Sequence, residues 1–386
     1  MAEALPAHEI ETETIPLPVG EAPFGLTLRL RRYGRAGDRA ASVLLLHGAN
    51  TSSDTFLLPD GGLTRFLVKH GWQVWLLDWR GSPRVIEKLP PGWLGASALE
   101  EIRHYTVDHV AREDVPAALR EIRARIGSGA RLSVLGHCVG GGALSIAIAE
   151  GRLRPFGVER VVLSTLGLFY EVPWSGWIKA EDFVLERVLH NDPECGGVSP
   201  REPRAADPRA WPWPRDMERA YACWPRAWLP ADGSPGRMLR RLDFMIGQPY
   251  APARLDPGLR DGQVDPVFGP LHMGLYLHVG QMARRGYAAP FDAPDVIDWT
   301  RPGGRRGAAA IADHLRAEPF LDLETTLLCA AGNRVWHRDA VDLMHEWLRN
   351  HGAASVKRVF PGYNIQELLW GERAASEVYP AILQGL

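Results

Sequence analysis

A chain of 386 residues, 46% hydrophobic and 23% charged, has the composition of an ordinary soluble globular protein, with room for two domains or for one catalytic domain and a large insertion. A formal net charge of −2 gives no reason to expect nucleic acid or an anionic membrane surface as partner. No apolar run approaches the roughly 18 residues that cross a bilayer, so stable membrane insertion is not expected.

Met1 to Gly20 reads as an acidic, proline-bearing tail with little to bury and no apolar core of a signal peptide. Leu26 to Tyr33 alternates apolar and basic residues, as an edge strand does. Ser42 to His47 is a continuous apolar run, the mark of a strand covered on both faces. It leads through His47-Gly48-Ala49-Asn50 into a helical pattern from Thr55 to His70. Trp72 to Asp78 predicts a second buried strand, and Thr106 to Ile126 a long amphipathic helix closed by Gly127.

Leu132 to Gly136 is a short apolar run that stops at a glycine, and Val139 to Glu150 is small and apolar enough for a buried helix. Between them stands Gly-x-Cys-x-Gly-Gly, a strand-to-helix turn of the nucleophile-elbow type with cysteine where serine is usual. Gly136 and Gly140 lack the Cβ atoms that would collide in so tight a turn. Cys138 would project at the head of the helix, where unpaired N–H groups and the helix dipole favour a thiolate. The other cysteines, at 195, 223 and 329, follow neither a pairing rhythm nor a metal-ligand spacing. The expectation is a cytoplasmic, reducing setting, with no metal and no cofactor.

A strand from Val158 to Ser164 follows, and the alternation then breaks from 165 to 323. Asn191 to Gly236 is dense in proline and tryptophan, Arg237 to Gly247 and Leu271 to Gly286 look helical, and Arg301 to Gly307 looks like an exposed loop. The alternation returns with a strand at Thr325 to Ala331, a helix at Arg338 to Asn350, a strand at Ser355 to Phe360 and a helix at Glu372 to Leu386. This order predicts an α/β protein with a mostly parallel, doubly wound sheet whose site lies at the carboxyl ends of the strands. The expected division is a tail at 1–20, a core at 21–164 and 324–386, and a lid inserted at 165–323. Seven of the fourteen tryptophans (174, 177, 211, 213, 224, 228 and 299) fall in that insertion, either as its core or as the lining of an apolar substrate cleft.

With these residues in hand, the chain resembles the α/β-hydrolase superfamily over nearly its whole length. His47-Gly48 is similar to the family's oxyanion loop and Gly136 to Gly140 to its elbow. Within the superfamily it resembles hydrolase domains beside or fused to bacterial cholesterol oxidases, relatives of the acid lipases. The similar stretches are Val74 to Arg80, Arg240 to Met245, and Pro361-Gly362-Tyr363 through Trp370-Gly371. The elbow alone is also similar to the lipase-like box of polyhydroxyalkanoate synthases. The resemblance implies a catalytic histidine in a Pro-Gly-Tyr-Gly-His-x-Asp segment, and here Ile365 occupies that place. The triad acid would follow the penultimate strand, where the chain offers Asn333, which holds no negative charge.

A serine without a base is nearly inert, whereas a thiol of reference pKa about 8.5 can fall to roughly 3.5–7.5 at a helix N-terminus. Cys138 is therefore expected partly exposed at the base of a lid-covered cleft, with a lowered pKa, facing an oxyanion hole made by the N–H groups of Ala49 and Val139. His337, just after Asn333, is a replacement base in one reading and a solvated helix-cap residue in the other. His137 supports the turn, His47 shapes the oxyanion loop together with Gly48, and Asp78 is a structural turn residue. His272 and His278 lie nearly two helical turns apart without a metal role. Two functions stay open: acyl chemistry through Cys138 on a small apolar activated substrate (ester, thioester or lactone), or a degenerate hydrolase fold. The latter would bind an apolar ligand, or steer a cyclisation or rearrangement, without covalent catalysis. The oligomeric state is not legible.

Overall fold

The computed structural model of the chain describes residues 11–19, 26–34, 41–86, 105–181, 197–198, 237–259, 263–293 and 316–386. Its strands are, in chain order, β1 (Glu11–Val19), β2 (Leu26–Gly34), β3 (Ser42–Leu46), β4 (Gln73–Asp78), β5 (Leu132–His137), β6 (Val158–Ser164), β7 (Gly197–Val198), β8 (Leu271–His272), β9 (Glu324–Ala330) and β10 (Ser355–Phe360). Eight of them form one sheet in the order β1-β2-β4-β3-β5-β6-β9-β10, and β7 pairs with β8. The sheet is parallel from β4 to β10, with β2 antiparallel to β4 and β1 antiparallel to β2.

Every residue of β3, β4 and β5 is buried. Alternate side chains enter two apolar layers: Leu44, Leu46, Trp75 and Val134 on one face, Val43, Leu45, Val74 and Leu135 on the other. Helices α1 (Gly62–Lys69), α2 (Val115–Ile126) and α3 (Val139–Ala149) connect the central strands. After β6 come α4 (Trp174–Glu181), α5 (Arg237–Met245) and α6 (Met273–Arg285); α7 (Asp339–Asn350) links β9 to β10, and α8 (Tyr379–Gly385) ends the chain. α6 packs against α4, and Leu166, Phe169, Leu275 and Met282 join the same core layer as Leu44 and Leu46.

Three expectations are corrected. The stretch read as a tail supplies β1, paired with β2 from Glu11↔Gly34 to Val19↔Leu26, so β2 is not the edge. Ile15, Leu17 and Val19 point into the core while Pro16 and Pro18 are exposed, and an edge strand tolerates prolines whose missing N–H would have faced solvent. The helix expected from Thr55 to His70 is interrupted: a single turn at Ser53–Phe56 precedes α1, because Asp60, Gly61 and Gly62 all adopt positive φ. The C-terminal helix likewise divides into Ala374–Glu377 and α8, with Pro380 in the first turn of the latter. Apart from β7, the proline- and tryptophan-dense stretch lies outside the described residues. So do Arg301 to Gly307, Cys195, Cys223 and Trp211, Trp213, Trp224, Trp228 and Trp299. Among the described residues no helix is long and apolar enough to cross a membrane, and no His/Cys/Asp/Glu cluster has the makings of a metal site.

Candidate active site

The turn between β5 and α3 holds Cys138 at φ 55°, ψ −131°, a left-handed conformation that a residue with a Cβ adopts only when its surroundings over-determine it. They do so here. A Cβ on Gly140 would lie 2.3 Å from the His47 carbonyl oxygen, and one on Gly136 would lie 2.6 Å from the Cα of Gly141. α3 therefore starts flush against the ends of β3 and β5. The N–H of Cys138 donates to the Ser164 carbonyl at 2.9 Å and its carbonyl accepts from Gly141 at 2.8 Å.

Three donors converge on the sulfur. The backbone N–H groups of Val139 and Ala49 hydrogen-bond to it, and the indole Nε1 of Trp336 donates to it at 3.3 Å. Gly48 brings the loop after β3 close enough that a Cβ there would stand 3.0 Å from the Cβ of Cys138. His47 lies under that loop. Its ring is fully buried and stacked on Trp79 at 4.7 Å, with Nδ1 2.7 Å from the Gly48 carbonyl. Burial drives its pKa down to about 4, so at neutral pH the ring is uncharged and Nδ1–H donates to that carbonyl. Asp78 braces the same loop, accepting from the Ser53 N–H at 2.8 Å, the Ser53 hydroxyl at 2.7 Å and Arg29 at 2.7 Å.

The thiol itself departs from expectation. Cys138 is partly exposed, but burial of the sulfur pushes its pKa up, and the donors from Trp336, Val139 and Ala49 recover only part of that; the net direction is above the ordinary value of 9. In an apolar surrounding the loss of water around an anion outweighs the three hydrogen bonds to it. The resting group is a thiol, not a thiolate.

Asn333 turns out to position Trp336. Its Oδ1 accepts from the N–H groups of Val335 at 2.9 Å and Trp336 at 3.1 Å, a side-chain-closed turn that sets the indole over Cys138. Sequence reasoning missed Trp336, although an asparagine three residues ahead of a tryptophan after the penultimate strand was a readable signal. The loop carrying Ile365 lies alongside, tied by the Gly332 N–H donating to the Tyr363 carbonyl at 2.8 Å. Ile365 is 1% exposed and lines the same cleft as Cys138. His337 is not brought there: its side chain is half exposed, with Nδ1 3.4 Å from an Asp339 carboxylate oxygen. His137 is buried behind the elbow, with Nδ1 3.0 Å from the Ser164 hydroxyl; burial lowers its pKa to about 3, while the neighbouring Gln366 side chain acts the other way. His272 meets the Tyr105 ring and His278 the Ala289 carbonyl, so the two do not converge.

The cleft above Cys138 opens to solvent, and its walls include Met245, Phe268, Leu271, Leu275 and Val279 beside Ile365. Among the described lining residues there is no histidine and no carboxylate. The cation is Lys179 on α4: its buried Nζ donates to the Asp243 carbonyl, and burial brings its pKa down to about 8. Among the described residues, the tryptophan that lines the site is Trp336 on the loop after β9, while Trp174 of the segment between β6 and β9 is 62% exposed.

A mostly parallel eight-stranded sheet, with a strained strand-to-helix turn after β5 and an N–H-bearing loop after β3, is the α/β-hydrolase fold. The family described as alpha/beta hydrolase fold matches residues 41–214, from β3 through the elbow and beyond. Among solved structures, a thermostable carboxyl esterase from Bacillus coagulans is 13% identical, with 97% of each chain covered and a TM-score of 0.57. A lipase in its open form is 12% identical, also with 97% of each chain covered, at a TM-score of 0.55. A carboxylesterase structure from the thaumarchaeon Nitrososphaera gargenis is 12% identical over 95% of this chain and 96% of the other, at 0.50. At such identities the likeness is one of fold. No curated protein matches the sequence.

Proposed function

We propose that the chain is a cysteine-nucleophile enzyme that takes an acyl group from an activated apolar substrate (ester, thioester or lactone) onto Cys138 and passes it on by transfer or hydrolysis. The observation that carries this reading is the convergence of the Ala49, Val139 and Trp336 N–H groups on a sulfur held by the strained elbow, at the floor of an apolar cleft. The backbone pair suits the oxyanion of a tetrahedral intermediate, each such donor being worth about 2.7–4 kcal/mol. The esterase and lipase structures of the same fold are consistent with acyl chemistry.

Thioesters fit the cleft's titration chemistry best. The Cys138 sulfur attacks the carbonyl carbon, the tetrahedral intermediate collapses, the carbon–sulfur bond to the leaving group breaks, and the departing sulfur takes up the proton that Cys138 gives away. The exchange yields an acyl-Cys138 and a free thiol without a permanently charged base. Hydrolysing the acyl-enzyme is harder, because water needs a proton acceptor and Lys179 is the titratable amine at hand. Transfer to a second nucleophile is therefore favoured over general lipase action. The segment at 165–323 acts as a lid inserted into one α/β core, with α4 and α6 walling the cleft, and a reducing, cytoplasmic setting would keep the thiol free. The finer resemblance to hydrolase domains associated with cholesterol oxidases accords with an apolar substrate.

A second reading draws on the raised thiol pKa and the absence of histidine and carboxylate from the described cleft lining: binding or rearrangement of an apolar ligand without a covalent step. Intact mass after incubation with short acyl thioesters and activated esters separates the two. An acyl adduct on the native protein and none on Cys138→Ala supports the first. No adduct, with native activity retained in Cys138→Ala, leaves the second.

A further inference from the structure

Asn50 follows Ala49, whose N–H reaches the Cys138 sulfur, and it lines the cleft. It is 3% exposed, and among the described residues neither its Nδ2 nor its Oδ1 has a hydrogen-bond partner. Its backbone is pinned: φ is 45°, and its carbonyl accepts from the Gly269 N–H at 2.7 Å. The neighbouring Thr51 is satisfied, its hydroxyl donating to the Gly48 carbonyl at 3.1 Å. An asparagine is a common choice where φ is positive, usually with its side chain bonded to nearby backbone. Here that bond is missing, and a glycine would meet the backbone requirement without burying a bare carboxamide. Buried polar groups in folded proteins are paired, so an orphan in a binding cleft needs an account.

We propose that Asn50 is a recognition residue for an amide in the substrate, within a few bonds of the carbonyl held at Cys138. This rests on reading the cleft as an acyl site. A hydrocarbon chain offers nothing to Oδ1, and a simple ester or ketone oxygen offers an acceptor but no donor. The carboxamide carries two N–H donors and an acceptor oxygen, and an amide presents one of each without adding charge to an apolar cleft. The amide sits either in the acyl arm, as in an N-acylated amino-acyl group, or in the leaving arm, as in a thiol bearing an acetamido group.

Binding measured by calorimetry on Cys138→Ala protein tests this without any covalent step, so the result stands whether or not Cys138 accepts an acyl group. Two matched pairs of thioesters serve as probes. One pair compares S-(2-acetamidoethyl) hexanethioate with S-pentyl hexanethioate. The other compares the S-ethyl thioester of N-butanoylglycine with its all-carbon counterpart. The expected result is that one amide probe binds about tenfold tighter than its match, and the pair that shows the preference identifies the arm. Adding Asn50→Gly, which tolerates the positive φ, removes the preference and leaves the hydrocarbon probe's affinity in place. Adding Asn50→Asp keeps a residue suited to that backbone but loses the donor, and reduces the preference as a second check on folding. No amide preference in either pair, or a preference that survives both substitutions, overturns the proposal.

Discussion

The two sides of the cleft differ in kind. On one side, the loop after β3 and the head of α3 are polar at the backbone and rigidly braced: Ala49 and Val139 present N–H groups, His47 and Asp78 are locked beneath, and the elbow glycines leave no slack. On the other side, the loops after β9 and β10 present an indole N–H and the apolar side chain of Ile365. The first side can stabilise negative charge but cannot move a proton. The second, where a relay would have to face the sulfur, is built of groups that do not titrate. Stabilising negative charge and shuttling protons are therefore separable properties of one fold, and among the described residues at this cleft the apparatus present suits the first.

The largest effect should come from breaking the braced side. Gly140→Ala drives a methyl against the His47 carbonyl, 2.3 Å away. Overpacking of a rigid site costs typically about 1–3 kcal/mol and sometimes more. The melting temperature should fall by several degrees, and Cys138 should lose its acyl adduct even where the protein stays folded. A variant that melts and acylates like the native protein would show that the elbow is looser than its contacts imply.

The next largest should come from rebuilding the other side. Ile365→His places an imidazole in the wall that already faces Cys138, at a cost of roughly 1–3 kcal/mol for a buried polar ring without partners. Combined with Asn333→Asp, it gains a carboxylate able to orient and stabilise the imidazolium. A carboxylate oxygen also keeps accepting from Val335 and Trp336, so the indole stays in place. General acid–base assistance is typically worth 10²–10⁴-fold, and a transplanted pair should reach the lower end of that range in the hydrolysis of a short activated ester. The single Ile365→His should gain less. Equal rates in native and double-variant proteins would mean that the two loops do not face the reacting carbon.

A smaller, sharper test concerns the indole. With the thiol raised above 9, the reactive thiolate is a minor species at neutral pH, so iodoacetamide labelling should climb with pH through 9 and level off only beyond it. Trp336→Phe removes a donor that favours the anion, moving the half-point further up. A hydrogen bond to a charged group is worth about 1.5–3 kcal/mol, or about one to two pH units. A half-point below the ordinary thiol value in native protein would restore the thiolate expected at a helix N-terminus.

What was legible in the residues follows the range of the forces involved. β3 to β6 and the elbow were readable because a strand buried on both faces and a turn that requires glycine are written in adjacent residues. β1 was not, since its prolines sit on the exposed alternation of an edge and mimic a tail. The direction of the Cys138 pKa was misjudged because the helix terminus that lowers it is local, whereas the burial that raises it comes from segments distant in sequence. Lys179 was missed for the same reason, since nothing near it in the chain announces that it reaches the cleft, whereas Trp336 was announced only by the asparagine three residues ahead of it.

The smallest expected effect is the most discriminating for where a base resides. His337 stands four residues after Asn333, and that proximity made it a candidate. The turn closed by Asn333 instead sends the chain outward, the side chain is half exposed, and Nδ1 lies 3.4 Å from an Asp339 carboxylate oxygen. Its backbone N–H donates to the Glu171 carbonyl at 2.8 Å, a bond that His337→Ala preserves. The side chain's other contact, Nδ1 accepting from the Asp339 N–H at 3.3 Å, is solvent-exposed, so the substitution should leave both melting temperature and acylation rate nearly unchanged. If it instead abolishes turnover, a movement of the loop after β9 must carry the imidazole into the cleft during the reaction. The apolar side of the site would then be only its resting arrangement.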